Sequence, residues 1–524
     1  MAHSLSLHNP ILPGFYPDPS VCRVGGDFYL VNSSFAYFPG IPIHHSRDLA
    51  HWELIGHALD RPSQLNLDGA GHSRGLFAPT IRYHSGTFYI ICTNVDAGGN
   101  FIVTASDPSG PWSEPVWLSD APGIDPSLFF DDDGRCWYCG TRPAAEGERY
   151  PGNWEVWLCE LDLHTLRLIG ERRGIWRGAL RDCIWPEGPH IYRIDGYYYL
   201  LIAEGGTGMD HAISVARSER LEGPWIGKPS NPILTHRHMG KGAPVINVGH
   251  GDLVDDGVGG WWLAHLASRP YGGLFCDLGR ETFLVPVTWE DAWPVASPES
   301  GRVEMTYPAP ALPVWEAAGE ESCDHFEEGS LGGHWIFLRT PREEFQSLDE
   351  RPGYLRLRTL PVTLRENASA SFVGRRLRHM DWRIRTAMEF ASSGTEGCAG
   401  LALVQSNDFQ YRLELVRRAG ETAVRLVVAE GGDDRVIAER PFSGGRIVLA
   451  AEARGQSLRF SWGPTPASLQ VLADGMDARV LSTERAGGFV GTVAGLFASG
   501  VRSAEGYADF DWFEYGPLPS AEGF

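Results

Sequence analysis

Five stretches of this chain repeat one pattern, and the repeat restricts the fold more than any other feature. They are "DPSVCRVGGDFYLV" from Asp18, "APTIRYHSGTFYII" from Ala78, "DPSLFFDDDGRCWYC" from Asp125, "GPHIYRIDGYYYLL" from Gly188 and "HGDLVDDGVGGWWLA" from His250. Each has a short polar or proline-containing start, an alternating apolar strand, a turn with glycine, and a second strand rich in aromatic and β-branched residues. That is a β-hairpin written five times. The starts are 60, 47, 63 and 62 residues apart. A second echo lies between them: "HSRDLAHW" ending at Trp52, "ASDPSGPW" at Trp112 and "ARSERLEGPW" at Trp225. It marks the outer hairpin of each unit. A radially repeated unit of four strands is a propeller blade, so the pattern predicts a five-bladed β-propeller.

The repeat ends near residue 300 of 524, and a single core stops growing at roughly 250–300 residues. "MTYPAPALPVWEAAGEE", residues 305 to 321, reads as a linker rich in proline and alanine. A new series of alternating strands follows, among them "YLRLRTL", "FVGRRLRH", "YRLELVRR", "AVRLVVAE" and "GRIVLAAEA", closing with "ADFDWFEYG". About a dozen short strands with glycine turns predict a β-sandwich. The expected organisation is an all-β chain: a propeller over 1–305, a linker over 306–320 and a sandwich over 321–524.

Propeller geometry gives the starts of the repeats a meaning. The first strand of each blade lines the central channel, and equivalent ends of those strands converge on one mouth. Asp18, Asp125 and His250 occupy equivalent positions, and Glu187 stands one residue before its own. A lone Asp-Pro is ordinary turn chemistry. Acidic residues at matching positions in three blades call for a shared site, where crowded like charges raise at least one pKa. Such a set suits glycoside hydrolysis, which needs one carboxylic acid to protonate the leaving oxygen and one carboxylate to activate water or attack the sugar. Glu187, in "CIWPEGPHIY" beside Trp185, is the expected general acid, because an apolar neighbourhood keeps a carboxyl protonated. Asp18 is the expected general base. Asp125 is the third member, raising the pKa of Glu187 and orienting it.

Composition excludes other chemistry. A net charge of −21 argues against nucleic acid or an acidic membrane face as partner, and a neutral oligosaccharide suits the surface better. The start "MAHSLSLHNPILPG" has no basic region followed by an apolar run, so a cytoplasmic protein is expected. Nine scattered cysteines fit reduced thiols. Cys136 and Cys139 form a lone C-x-x-C inside a strand-like run, which reads as core.

At "GFYPDPS", "GIDPSLF" and "WPEGPHIY" the sequence resembles glycoside hydrolase family 43, with further matches at "SRGLFAPTIRYH", "AEGGTGMDHAISVARS", "GHGDLV" and "LGRETFLVPV". The matches run in the family's order over roughly residues 8 to 300, and the whole length is similar to its larger β-xylosidases. The resemblance implies a five-bladed propeller with a jelly-roll, lectin-like sandwich, and hydrolysis with inversion. The implied substrates are β-1,4-xylo-oligosaccharides cut from the non-reducing end, or α-L-arabinofuranosyl branches of arabinoxylan. A retaining mechanism, or a propeller that binds sugar without cleaving it, are the alternatives. By the same resemblance, Arg280 binds glycone hydroxyls, with a surface salt bridge as the other reading. Phe77 and Phe35 wall the glycone pocket, with core packing as the alternative for each. Trp185 is a wall or a core residue. His250 lies below the sugar, where some relatives hold a calcium ion through waters; a channel histidine hydrogen-bonded to carboxylates or water is the other reading. No cofactor is required, and a structural Ca²⁺ near His250 is the one metal implied. A homo-oligomer, dimer or tetramer, is implied as well. In relatives a sandwich loop also supplies a phenylalanine to the active-site mouth. Val493 stands at that position here, with Phe489 and Phe497 nearby.

Overall fold

The computed structural model describes residues 6–319, 321–391, 396–418, 420–501 and 506–519. The first five residues, residue 320 of the expected linker and the last five of the expected sandwich lie outside the described residues. The described chain is almost wholly β-structure, with one short 3₁₀ turn and one four-residue helix between Ala478 and Ala486.

Each repeat becomes the inner hairpin of a separate sheet. The innermost strands are Ser20–Val24, Thr80–His84, Ile124–Phe130, Glu187–Ile194 and Ile246–Asp255. Alternation of apolar and polar residues sets their register, since a slip of one residue would turn the buried face outward. The tryptophan echoes fall in the connections between third and fourth strands. There the indoles of Trp52 and Trp112 close their turns by donating to the carbonyls of Leu49 and Pro108.

The polar residue two positions after each repeat start stitches the blades into a ring. Ile81 N donates to Ser20 Oγ at 3.1 Å, Thr80 Oγ1 to Pro126 O at 2.9 Å, and Ser127 Oγ to Pro189 O at 2.5 Å. Tyr192 OH donates to Asp252 Oδ1 at 2.5 Å, and Ser20 Oγ to Asp252 Oδ2 at 2.7 Å. All five blade boundaries are thereby bridged. Arg82 fills the channel between Asp252 and His190. Buried side chains of this kind stay only because every member finds partners.

Ring closure uses both ends of the domain. Ser6–His8 pairs with Thr306–Pro308, and Leu12 bridges Thr282 in the fifth blade. The first residues of the expected linker are therefore part of the propeller. The apolar Leu7 and Tyr307, paired in that strand, are buried in its core, which is why the propeller runs past 305. The rest of the linker lies along the first blade: Trp315 N donates to Asp48 Oδ2 and Ala318 N to Glu53 Oε2.

The second domain is a sandwich of two antiparallel sheets around one large apolar core. One sheet does not end within its own domain. Tyr37–Phe38, from the first blade, pairs with Ile336–Leu338 and becomes its edge strand. Arg339 follows directly; its backbone N–H donates to Ala36 O at 2.7 Å. Its buried guanidinium bonds Ala70 O, Glu366 O, Ala368 O and the side-chain oxygens of Asn367 and Asn407. Backbone pairing and buried hydrogen bonds at the seam hold the two domains in one arrangement.

Candidate active site

Asp18, Asp125, Glu187, Arg280, His250, Phe35, Phe77 and Trp185 all line one cavity of about 240 Å³ at the mouth of the propeller channel. Drug-sized pockets run to roughly 300–1,000 Å³, so this volume suits a sugar ring or two. The local backbone explains how distant residues converge. Asp18, Asp125, Gly188 and His250 are four of the five equivalent repeat positions, and these four have φ between 46° and 53°. Phe35 and Trp185 share that left-handed conformation. It is costly for side chains of this bulk, and such strain concentrates at functional sites. The inner strands of blades three, four and five also break register beside these residues, which re-aims their side chains into the channel mouth.

Asp18 is buried and anionic. Arg280 Nη1 donates to its Oδ1 at 2.9 Å and Nη2 to Oδ2 at 3.4 Å, while Ser33 Oγ donates to Oδ2 at 2.6 Å. Burial alone would raise this carboxyl. Arg280, His250 (Nδ1 3.9 Å away) and the Ser33 hydroxyl outweigh it and hold Asp18 below the usual carboxylate range. Glu187 goes the other way. Its burial, and then the charges of Asp125 and Asp18, push it well above the usual range, so it carries its proton near neutrality. Asp125 is raised to about 6, by burial and by Asp18, against the pull of His250, the Gly188 N–H and Arg280.

The acid is held from both sides. Thr141 Oγ1 donates to Pro186 O and Ser127 Oγ to Pro189 O, each at 2.5 Å. Between them, Gly188 donates its N–H to Asp125. A Cβ on Gly188 would stand 2.7 Å from His250 Cε1. Only glycine lets the acid's strand and the histidine approach this closely.

The aromatic wall is a packed set. The Phe35 ring lies 5.4 Å from Phe77 and 6.0 Å from Phe489, and the Arg280 guanidinium sits 5.7 Å and 5.4 Å above Phe35 and Phe489. Trp185, 38% exposed, forms the rim. The expected wall position in the sandwich is corrected here. Val493 is fully buried within the strand Val493–Gly500, paired with Arg376 and Val404, and it packs into the apolar cluster between the domains with Phe15, Phe35 and Phe497, behind the wall and not in the cavity. Phe489, four residues earlier, leaves the loop before that strand and reaches the cavity, its N–H anchored to Ser73 Oγ at 2.8 Å.

Residue-level reading of the sequence left Thr207, His211 and Ser33 unassigned. Thr207 Oγ1 accepts from Arg280 Nη1 at 3.1 Å. His211 lines the cavity, and its Nδ1–H donates to Asn247 O at 3.1 Å. Burial pushes its pKa down to about 3, so the ring is neutral and its Nε2 is an acceptor. Both residues lie in "AEGGTGMDHAISVARS", directly after a blade's second strand. That placement at the channel mouth was the available signal. As for calcium, the ion takes 6–8 oxygen ligands. Asp18, Asp125, His190 and His211 surround His250, yet no group of three or more His, Cys, Asp or Glu side chains is set to hold an ion among the described residues. This donor set does not fit direct coordination.

A protonated carboxyl and an anionic one, facing a single small cavity with an aromatic wall, define a glycoside hydrolase on a five-bladed propeller. Residues 7–294 match Glycosyl hydrolases family 43, and residues 323–516 match the Beta xylosidase C-terminal Concanavalin A-like domain. The chain belongs to glycoside hydrolase family 43. It is 48% identical to a xylosidase/arabinosidase of Butyrivibrio fibrisolvens over 97% of this chain and 98% of that protein. It is 38% identical to a non-reducing end alpha-L-arabinofuranosidase of Bacteroides ovatus over 97% and 94%. Among solved structures, a xylan beta-1,4-xylosidase from Bacillus halodurans superposes with a TM-score of 0.92 at 35% identity, covering 97% of this chain and 99% of that one.

Proposed function

We propose that the protein is an inverting exo-glycosidase that removes β-1,4-xylosyl units from the non-reducing ends of xylo-oligosaccharides, and that it also releases α-L-arabinofuranosyl groups. The observation that carries this reading is the opposite protonation of Asp18 and Glu187 across one small cavity. Glu187 donates its proton to the glycosidic oxygen as the C–O bond breaks. Asp18 takes a proton from the water that attacks the anomeric carbon from the opposite face, so free sugar and free aglycone result with Glu187 ionised and Asp18 protonated, and proton exchange with solvent water restores the pair. Asp125 keeps Glu187 protonated by its charge and holds the acid's strand through the Gly188 N–H. Neither step passes through a metal. Arg280 keeps the base ionised, and the Phe35–Phe77–Phe489 wall packs against the sugar's C–H face.

Support for exo action comes from Phe489, which closes one side of the cavity from the other domain. Support for two glycones comes from the relatives, one named for both sugars and one for arabinofuranosides. Time-resolved NMR on xylobiose and on arabinoxylan fragments tests the reading. α-Xylose as the first product from a β-linkage is the expected result. β-Xylose appearing first would reject inversion, and equal rates on long xylan and xylobiose would reject the closed pocket. The reading extends to a homo-oligomer, which light scattering on the purified protein decides. It also extends to the cytoplasm, which suits nine cysteines that are all unpaired.

A further inference from the structure

Behind the wall of the active site, the seam between the domains contains a group of buried polar atoms without partners. Arg376, on the sandwich strand Phe372–Arg376, is 4% exposed, and none of its three guanidinium nitrogens has a hydrogen-bond partner among the described residues. Its guanidinium lies over the rings of Tyr16 and Phe15, 4.8 and 5.5 Å away. These two residues lead directly into Pro17 and the base Asp18. Three more buried polar atoms around it lack partners: His44 Nδ1, His57 Nε2 and Tyr37 OH. His44 is tied to the same spot by its edge contact with Tyr16 at 4.9 Å.

The ionisable groups that act most strongly on this cluster are all basic. His44 feels His334, Arg376, His57 and Arg378; His57 feels Arg376 and His334; Tyr37 feels Arg376 and Arg339. Among the described residues, no carboxylate ranks with these strongest influences. Both histidines are pushed well down, by burial first and by the neighbouring basic groups second, so they are neutral donors or acceptors beside the Arg376 guanidinium. A buried guanidinium is ordinarily paired, and buried polar groups are ordinarily bonded. Here the ring faces of Phe15 and Tyr16 attract the cation but leave its N–H groups unmet.

We propose that the seam holds one monatomic anion, chloride, enclosed between the Arg376 guanidinium and the His44, His57 and Tyr37 side chains. The unpartnered atoms have almost no contact with solvent, so the occupant must be small enough to be sealed in when the domains dock. A guanidinium with its N–H donors free, next to a phenol and two imidazoles that can donate, selects an anion over a cation or an apolar group. The anion joins the sandwich to the segment before Asp18 and stabilises the docked arrangement.

Two measurements on the full chain test this. The first follows thermal unfolding of chloride-free protein as chloride rises from about 1 to about 100 mM against gluconate at constant ionic strength. Wild type is expected to gain ~2–4 °C, saturably. The Arg376→Met variant is expected to show no gain. No gain in wild type, or the same gain in both proteins, overturns the proposal. The second measurement does not need the variant to fold. Anomalous diffraction from wild-type crystals in bromide is expected to show a peak within hydrogen-bond distance of Arg376. Water alone at that position overturns it.

Discussion

Replacing Arg280 by methionine keeps most of the side chain's bulk and removes the charge that lies 2.9 Å from Asp18 Oδ1. Two unit charges ~4 Å apart interact by about 4 kcal/mol at an effective dielectric of ~20. At ~1.4 kcal/mol per pH unit, that is at most about three units on the Asp18 pKa. Ser33 and His250 keep part of the stabilisation, so a rise of about one to three units is expected. The base works only when ionised, so the acidic limb of kcat/KM moves up by that amount. Arg280 also holds Glu187 and Asp125 down, and its loss raises them as well. The acid works only when protonated, so the alkaline limb moves the same way and the whole bell shifts to higher pH. The assay is kcat/KM for a nitrophenyl β-xyloside, quenched before reading, at half-unit steps of pH. Breaking a buried pair costs ~3–5 kcal/mol of stability, so thermal melts at each pH must show that the variant stays folded. A folded variant whose acidic limb does not move, with all its loss in KM, would refute the reasoning. Arg280 would then be a sugar ligand with no hold on the base.

Asp18→Asn is expected to abolish turnover on every substrate; it also breaks the buried pair with Arg280, so thermal melts must show that the variant is still folded, and residual inverting activity above background counts against Asp18 as the base. Glu187→Gln is expected to cost ~10²–10⁴-fold on xylobiose and far less on a dinitrophenyl xyloside, whose leaving group needs no proton. Equal losses on the two would remove Glu187 from the acid's role. Phe489→Ala opens the wall from the sandwich side and is expected to raise KM for xylobiose about tenfold, a change worth ~1.4 kcal/mol of binding, with kcat less affected. An unchanged KM would show that the sugar does not use this wall. Dialysis against a chelator is expected to leave kcat and the melting temperature unchanged, and recovery of lost activity by added calcium would contradict the poor fit of the donor set around His250.

The propeller was legible because its signal is local and repeated. Alternation of apolar residues, glycine turns and Asp-Pro or Gly-Pro starts fix each hairpin within about fifteen residues. Five copies at similar spacing then fix the ring. The same regularity brought Asp18, Asp125 and Glu187 to one mouth, since equivalent positions in a radial repeat must converge. Their opposite protonation was legible in part, from Trp185 and the prolines beside Glu187. That Asp18 would be held anionic was not legible, because it depends on Arg280, 262 residues away.

Where only a long-range contact assigns a role, the sequence stopped short. The position aligned with the wall, Val493, proved to be buried behind it, in the apolar cluster between the domains. The strand's pairing with Arg376 and Val404 decides which way each side chain points, and Phe489 reaches the cavity because the preceding loop is tied to Ser73. Tyr37–Phe38 read as part of a propeller loop, yet it completes a sheet of the other domain. The cationic seam around Arg376 gave no local signal at all, since His44, His57 and Arg376 are ordinary residues on separate strands. Local pattern therefore determined the elements, their order and the three carboxyls. Long-range contacts decided the rest: Arg280, within the propeller, set the charge state of the base, and packing of the sandwich on the propeller set the Phe489 side of the pocket and the buried seam behind it, because these depend on distances between residues far apart in the chain.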